Sequence, residues 1–196
     1  DRKGQTVTLL QHDIVGVLQA GIDREHVQRL TIEAEHSGRI HSLAGTISGS
    51  STNAVGGSVA VNNVGAGTDR DYRVGAKLAS TTINAPSSIT VQSDLSGEIK
   101  GFAVAGGGSG TGAYNGSATT NQIEGTVAAT VTGLTQSQSG ASLSVSASQS
   151  SDIFSFTGAI SGAGSNAVGA AVSINDIRST VDASLSSSTA RVTGQL

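Results

Sequence analysis

Along most of the chain, apolar and polar residues alternate with a period of two. In residues 58–62 and 171–175, the Val and Ile side chains share one face, while Ser, Ala and Asn share the other. Such alternation is typical of a half-buried β-strand. The runs span four to six residues and are separated by Gly, Asn and Ser clusters, which favour turns. The pattern predicts an all-β chain of short strands with its aliphatic side chains in the core.

These alternating runs recur in three copies. The copies begin at Leu30, Ile89 and Leu143, so the repeat period is first 89 − 30 = 59 and then 143 − 89 = 54. One column of the alignment contains an asparagine in each copy, namely Asn62, Asn121 and Asn175. Self-similarity at a fixed period indicates a solenoid, in which stacked units bury a continuous column of Val, Ile, Leu and Ala. The sequence therefore predicts a parallel β-helix, or β-solenoid.

The repeat length leads to an expected rung size. A 54-residue copy corresponds to about three rungs of roughly 18 residues, with two longer rungs as the alternative. The whole chain would then form about ten rungs. At roughly 4.8 Å per rung, these rungs would build a rod about 50 Å long.

The repeats divide the chain into successive copies and do not indicate separate domains. Residues 1–196 are predicted to form a single β-solenoid, and the chain is expected to be a piece of a longer polypeptide. Its divisions are the tail of a preceding copy at residues 1–29, and copies at residues 30–88, 89–142 and 143–196.

The first copy is longer than the others in one place. The numbering rises by 10 from Val64 to Val74, whereas it rises by only 4 from Ile123 to Val127. A six-residue insertion, 10 − 4 = 6, therefore lies within residues 65–73.

The insertion is the candidate binding site. It contains Arg70, Asp71, Tyr72 and Arg73, and loops extruded from a solenoid commonly carry function. Tyr and Arg are also enriched at binding surfaces. The alternative is a solvated charged loop with local ion pairs.

Composition excludes several classes of function. The net charge is −3 and there is no basic run, which argues against nucleic-acid binding. The chain has no Cys, so disulfides and thiol chemistry are excluded. No stretch approaches the roughly 18 apolar residues of a membrane span. With three Phe, two Tyr and neither Trp nor Met, the core must consist of small aliphatic residues.

Catalytic, metal and cofactor sites are not expected. The histidines lie near acidic residues but without any recognised zinc spacing, and are expected to be solvated: His12, His26, His36 and His41. A polysaccharide-lyase site would need acids and bases on one face, but these are sparse after residue 100. Phe102 and Phe156 occupy equivalent positions in their copies, as core residues do. The sequence therefore predicts no enzyme, no metal and no cofactor.

The third copy carries a family resemblance. It reads Ile-x-x-Phe from Ile153, then a Gly/Ala/Ser run, then VGAAVSINDI from Val168, then Val-x-Ala-x-Leu from Val181. This phrasing resembles the repeats of filamentous haemagglutinin-like exoproteins of Gram-negative bacteria, including leukotoxin-like filamentous adhesins. The resemblance covers residues 30–196.

The resemblance implies a right-handed parallel β-helix that is secreted by a type V route, either two-partner or autotransporter, with an outer-membrane secretion partner. It implies a cell-surface shaft of an adhesin that displays a distal domain in virulence, and host glycans or surface proteins as partners. The alternative function is a carbohydrate-active or carbohydrate-binding β-helix of the phage-tailspike or polysaccharide-lyase type.

Overall fold

In a computed structural model of the protein, residues 15–17, 29–65, 73–83, 88–136 and 142–191 are described. These residues form β-strands and no helix, which confirms the all-β prediction. The strands are β1 (Val15–Val17), β2 (Arg29–Ser50), β3 (Asn53–Val64), β4 (Arg73–Ala79), β5 (Thr82–Ile83), β6 (Ser88–Ser109), β7 (Gly112–Thr132), β8 (Thr135–Gln136), β9 (Ser142–Ala163) and β10 (Asn166–Ser186).

All pairings between these strands are parallel. One sheet has the order β2-β6-β9, and a second has the order β1-β4-β7-β10, with β3 also paired to β7. The short strands β5 and β8 pair with each other. The register places Leu30 beside Ile89 and Ile89 beside Leu143, the residues that begin the three sequence copies. Each copy therefore supplies one layer of a three-layer stack.

This register corrects the predicted rung size. The sequence separation between ladder neighbours is 89 − 30 = 59 or 143 − 89 = 54, which is a whole copy. The prediction of three short rungs in each copy is therefore wrong, and so is the predicted total of about ten rungs. The short alternating runs join into continuous strands, because glycines such as Gly97 and Gly101 stay extended within the 22-residue β6. At about 4.8 Å per layer, the stack is roughly 10–15 Å deep instead of a rod of about 50 Å.

Each layer folds back on itself at one end. The chain bends at residues 51–52, 110–111 and 164–165, so β2, β6 and β9 face the strands that follow them. We call the half of each layer next to this bend the tip half. The other half, which contains the first residues of β2, β6 and β9, is called the aliphatic half. Contacts across the two sheets include Ser93 Oγ donating to Val74 O at 3.0 Å and Ser117 Oγ donating to Gly158 O at 2.8 Å.

The aliphatic half contains the hydrophobic core. Its buried residues come from both sheets and from the short segments at the end, and all of them are Leu, Ile, Val or Ala. They include Leu30, Ile32, Leu78, Ile89, Val91, Leu95, Val127, Val131 and Leu134. A smaller cluster of Val64, Ile99 and Ile123 lies between this core and the tip half. The predicted aliphatic columns are therefore present in this half.

In the tip half, the buried face is the opposite of the one predicted. Ser58, Ala60 and Asn62 point inward and are 7%, 6% and 5% exposed, whereas Val59 and Val61 are 66% and 62% exposed. A period of two shows that two faces differ, but it does not say which one is inside. Here the facing strands are closely packed, since a Cβ on Gly101 would lie only 2.8 Å from Asn121 Oδ1.

Candidate binding surface

The inside of the tip half is filled by polar side chains that bond to one another. Asn62 Nδ2 donates to Asn121 Oδ1 at 2.7 Å, and Asn121 Nδ2 donates to Asn175 Oδ1 at 2.8 Å. The asparagine column of the sequence is therefore an amide ladder that runs through all three layers. Since buried polar groups need partners, this ladder favours one register between the layers.

Hydroxyl groups fill the next inner positions. Thr119 Oγ1 lies 2.6 Å from Ser155 Oγ and 2.8 Å from Thr157 Oγ1, and it donates to Ser173 Oγ at 2.9 Å. One glycine shows how little space remains: a Cβ on Gly101 would lie 2.8 Å from Asn121 Oδ1. The interior of the tip half therefore combines this polar network with small buried residues such as Ala103 and Ala113, and it is closely packed around Gly101.

The outside of the β2-β6-β9 sheet is apolar in the tip half. Leu43, Ile47 and Ile160 are 81%, 94% and 74% exposed, and Phe154 and Phe156 are each about half exposed. We call this surface the first outer face. The expectation that the repeat-equivalent phenylalanines are core residues is wrong for Phe156, because its strand parity points it outward. Its equivalent Phe102 also points outward and lies 5.8 Å, ring centroid to ring centroid, from Phe154.

The opposite sheet has a matching second outer face. Val55, Val59 and Val61 of β3 are exposed, as are their neighbours in β7 and β10. Those neighbours are Tyr114, Val168, Val172 and Ile174. Between these valines and their third-layer equivalents, β7 contributes Ala118 and Thr120. Exposed apolar surface often marks an interaction site. The tip half is thus apolar on both outer sides and polar within.

A group of charges borders the first outer face. Arg39 Nε lies 3.1 Å from Glu98 Oε2, and the Lys100 ammonium also pairs with Glu98. The hydrogen bond from Lys100 lowers the pKa of Glu98 below its ordinary value of 4.5, and the charges of Lys100 and Arg39 add to this effect. The second outer face has a comparable border, where Arg178 Nε lies 2.9 Å from Asp176 Oδ2.

The register locates the predicted insertion. β3 ends with Val64 beside Ile123, and β4 begins with Arg73 beside Thr126. Eight residues, 65–72, therefore stand where β7 has the two residues 124–125, and 8 − 2 = 6 is the expected excess. The strands on either side of the insertion, β3 and β4, both stay paired with β7.

Only one of the four predicted binding residues is described. Arg73 is exposed at the start of β4. Arg70, Asp71 and Tyr72 lie outside the described residues, so their place relative to the outer faces stays a prediction. Sequence reasoning missed the outer faces themselves. The available signal was that small residues alternate with larger ones on both facing strands. If the small residues lie inside, the larger ones must lie outside.

The described residues give no sign of a metal site or a membrane helix. No group of three or more His, Asp or Glu side chains in these ranges is placed to hold an ion. His41 is exposed, as predicted, but His36 is half-buried and points inward; His12 and His26 lie outside the described residues. Nor does this part of the chain contain a helix of the length and hydrophobicity needed to cross a membrane.

Comparison with known proteins adds no relative. No family model, no curated protein and no solved structure matches this chain. Any functional conclusion therefore depends on the repeats, the layers and the outer faces.

Proposed function

We propose that the chain is a structural shaft segment of a large secreted bacterial surface adhesin. In this proposal the three layers belong to a right-handed β-solenoid of the filamentous haemagglutinin type. The observation that carries it is the stacking register: two long sheets in which each residue of β6 pairs with its equivalents in the layers before and after it. Stacked, self-similar layers are the architecture of a spacer.

The mechanism of such a shaft is spacing and display. Continuous parallel ladders join the layers, and the aliphatic core and amide ladder hold them in register. Type V secretion would bring the protein through an outer-membrane partner to the cell surface, where the shaft projects a distal domain. The chain itself has no catalytic role in this proposal.

Adhesive contacts would come from parts of the chain outside the buried core. The inserted residues 65–72 and the two outer faces are the candidates, and host glycans or surface proteins are the proposed partners. The loop contributes charge and Tyr72, while the outer faces contribute exposed apolar and aromatic side chains. These two chemistries suit different ligands, so they are separable by mutation.

A glycan and matrix-protein array tests this role. The chain would be compared with a variant that lacks residues 68–73, which brings the first layer to the length of the other two. Binding that disappears with the loop would support an adhesive shaft with a located site. Binding by neither protein would support a passive shaft, and release of sugar fragments from any array polysaccharide would refute the non-catalytic proposal.

One observation favours the alternative, a carbohydrate-binding or carbohydrate-active β-helix. Phe154 and Phe156 are exposed, and Glu98 lies at the border of the same face. Aromatic side chains next to a carboxylate are suited to sugar recognition. Loop-independent glycan binding that is lost in a Phe154→Ala, Phe156→Ala double variant would favour this reading over the shaft.

A further inference from the structure

Six outer positions of the first outer face are glycines, two in each layer. They are Gly45 and Gly49 in β2, Gly106 and Gly108 in β6, and Gly158 and Gly162 in β9. All six lie in extended strands, and none of them has a positive φ. Because glycine weakens the interior of a strand, six glycines on one face need a physical reason.

The inside of the molecule does not supply this reason. A Cβ on Gly49, Gly106 or Gly162 would meet nothing within 4 Å. At the other three positions, the nearest atom would lie 3.6–3.8 Å away, which is an ordinary van der Waals distance. Larger residues would therefore fit within the chain itself. Since glycine in a strand often marks the close approach of another backbone or a ligand, these glycines point to a neighbour outside the chain.

The other outer positions of the same strip hold large apolar residues. The four successive outer positions are Leu43, Gly45, Ile47 and Gly49 in the first layer, Phe102, Val104, Gly106 and Gly108 in the second, and Phe156, Gly158, Ile160 and Gly162 in the third. In every layer, a large first residue is matched by a glycine at the fourth position. The second and third positions likewise combine one large residue with one glycine. Each layer is thus complementary to a copy of itself that runs in the opposite direction.

We propose that the first outer face is the contact between two copies of this chain, which lie side by side around a twofold axis parallel to the stack. The axis passes between the second and third of the four positions. It places Leu43 opposite the second copy's Gly49, and Ile47 opposite the second copy's Gly45. The second and third layers repeat this arrangement of a large residue against a glycine. Since the contact is isologous, each such pair occurs twice.

The neighbouring registers do not give this fit. Moving the axis by one residue toward the start of the strands would place Phe156 against the second copy's Ile160, and Gly158 against the second copy's Gly158. Moving it by one residue the other way would place Ile47 against Ile47, and Gly45 against Gly49. Either shift exchanges a filled contact for a collision beside a void, and both features weaken packing. The side chains therefore select one register.

The sides of the stack carry this contact, and its ends do not. The middle layer, which is paired on both sides, has the same complementary pattern as the other two. Because the axis is parallel to the stack, both copies point in the same direction, as two shafts on one surface would. The second outer face lies on the far side of each copy and stays free for other partners. The inference goes beyond the shaft function and does not depend on it.

The contact area is that of a weak dimer. A strip of 11 residues, from residue 41 to residue 51, spans about 36 Å at roughly 3.3 Å per residue, and three strands make it about 14 Å wide. Its footprint of about 500 Å² per copy is smaller than the roughly 800 Å² per partner of a standard interface. The charged group of Arg39, Glu98 and Lys100 borders the strip, where interfaces have a polar rim.

Filling the glycine positions tests the contact without disturbing the interior. A Gly49→Thr, Gly106→Thr, Gly162→Thr variant adds one side chain to each layer, at positions with no neighbour within 4 Å. In sedimentation, the parent should shift from a 19.3 kDa monomer to a dimer of twice that mass as its concentration rises. The variant should stay folded, but its dissociation constant should rise about tenfold or more, because each Thr collides with a large residue of the second copy.

The matched control carries three threonines on the opposite sheet, as Gly57→Thr, Gly75→Thr and Gly116→Thr. A Cβ at these outer positions would lie 3.8–3.9 Å from its nearest neighbour, so the same change is tolerated there. This control should keep the dissociation constant of the parent. Equal weakening by both sets of threonines, or association that the first set leaves unchanged, would overturn the proposal. A parent that stays monomeric at all concentrations would also overturn it, and glycan binding at this face would then assign it to the carbohydrate alternative.

Cross-linking in the middle layer tests the register. The chain has no Cys, so a Phe102→Cys, Gly108→Cys variant has two thiols, which lie about 20 Å apart within one copy at roughly 3.3 Å per residue. In the proposed pair, each thiol faces the other thiol of the second copy, and a short bifunctional thiol reagent should give a covalent dimer. Each single variant keeps its two thiols about 20 Å apart across the pair and should stay monomeric. Failure of the double variant to cross-link, or equal cross-linking of the single variants, would reject this register.

Discussion

The two halves of each layer are formed by continuous strands, but they bury opposite kinds of side chain. In the aliphatic half, the inner positions hold residues such as Leu30, Ile89 and Leu95, and the outer positions are polar. In the tip half, the inner positions hold Asn121 and small residues, and the outer positions hold large apolar ones such as Ile47. The hydrophobic face of a strand is therefore not always its buried face. Close packing of the facing strands, seen at Gly101 and Gly107, favours small and polar side chains inside the tip half.

The largest expected effect comes from shortening an isoleucine in each half. Ile89→Ala should lower the free energy of unfolding by about 2–5 kcal/mol, because Ile89 is 1% exposed in the core. Ile47→Ala makes the same chemical change at a side chain that is 94% exposed, and should change it by less than about 0.5 kcal/mol. Chemical denaturation of both variants measures the difference. Equal losses would contradict the assignment of the two faces.

Breaking the amide ladder tests the polar core of the tip half. Asn121→Ala should lower the free energy of unfolding by about 1–3 kcal/mol, since it leaves Asn62 and Asn175 without their buried partner. Gln122→Ala, at the next position on the outer side of β7, serves as the control and should stay within about 0.5 kcal/mol of the parent. A more stable Asn121→Ala variant would mean that the ladder contributes no net stability.

Two adjacent glycines of β6 allow an inner position to be compared with an outer one. A Cβ on Gly107 would collide with the Ser48 side chain and lie 2.9 Å from the Ser48 backbone oxygen, whereas a Cβ on Gly106 would meet nothing within 4 Å. Gly107→Ala should therefore cost about 1–3 kcal/mol of unfolding free energy through overpacking, and Gly106→Ala should be close to neutral. Thermal unfolding of the two variants checks this, and a neutral Gly107→Ala would show that the sheets separate easily.

The smallest effect concerns the charged border of the first outer face. Because the pKa of Glu98 is lowered in the folded protein, its ionised form contributes stability above the ordinary value of 4.5. This contribution is lost as the pH falls below 4.5 and through the lowered pKa. Glu98→Gln should therefore unfold at a slightly lower temperature than the parent at pH 7, and the gap should close toward pH 3. High salt should also reduce the gap, and a gap independent of pH would contradict this origin.

The repeats let the sequence predict which residues become neighbours. Aligning Leu30, Ile89 and Leu143 equated the same residues that the parallel ladders pair, and the asparagine column became a hydrogen-bonded ladder. This worked because equivalent residues in stacked layers need the same environment. The insertion was found for the same reason, since it interrupts a pattern that β7 keeps.

Two features could not be predicted in the same way. Layer size depends on whether a glycine bends the chain or stays extended, and Gly97 and Gly101 carry no local signal that separates these states. The orientation of the tip half depends on how two sheets pack together, which is a tertiary property. A period of two in residues 58–62 fits either orientation equally well. The candidate loop at Arg70, Asp71 and Tyr72 stays a prediction from sequence alone.

One repeat per layer also has a consequence for the evolution of the gene. Recombination between copies would add or remove a whole layer, because one repeat of the coding sequence corresponds to one layer of the stack. Such a change leaves the pairing of all other layers intact. Insertion of a single codon within a strand would instead exchange its inner and outer sides. Selection should therefore tolerate small insertions chiefly where the first layer has one, between the end of β3 and the start of β4.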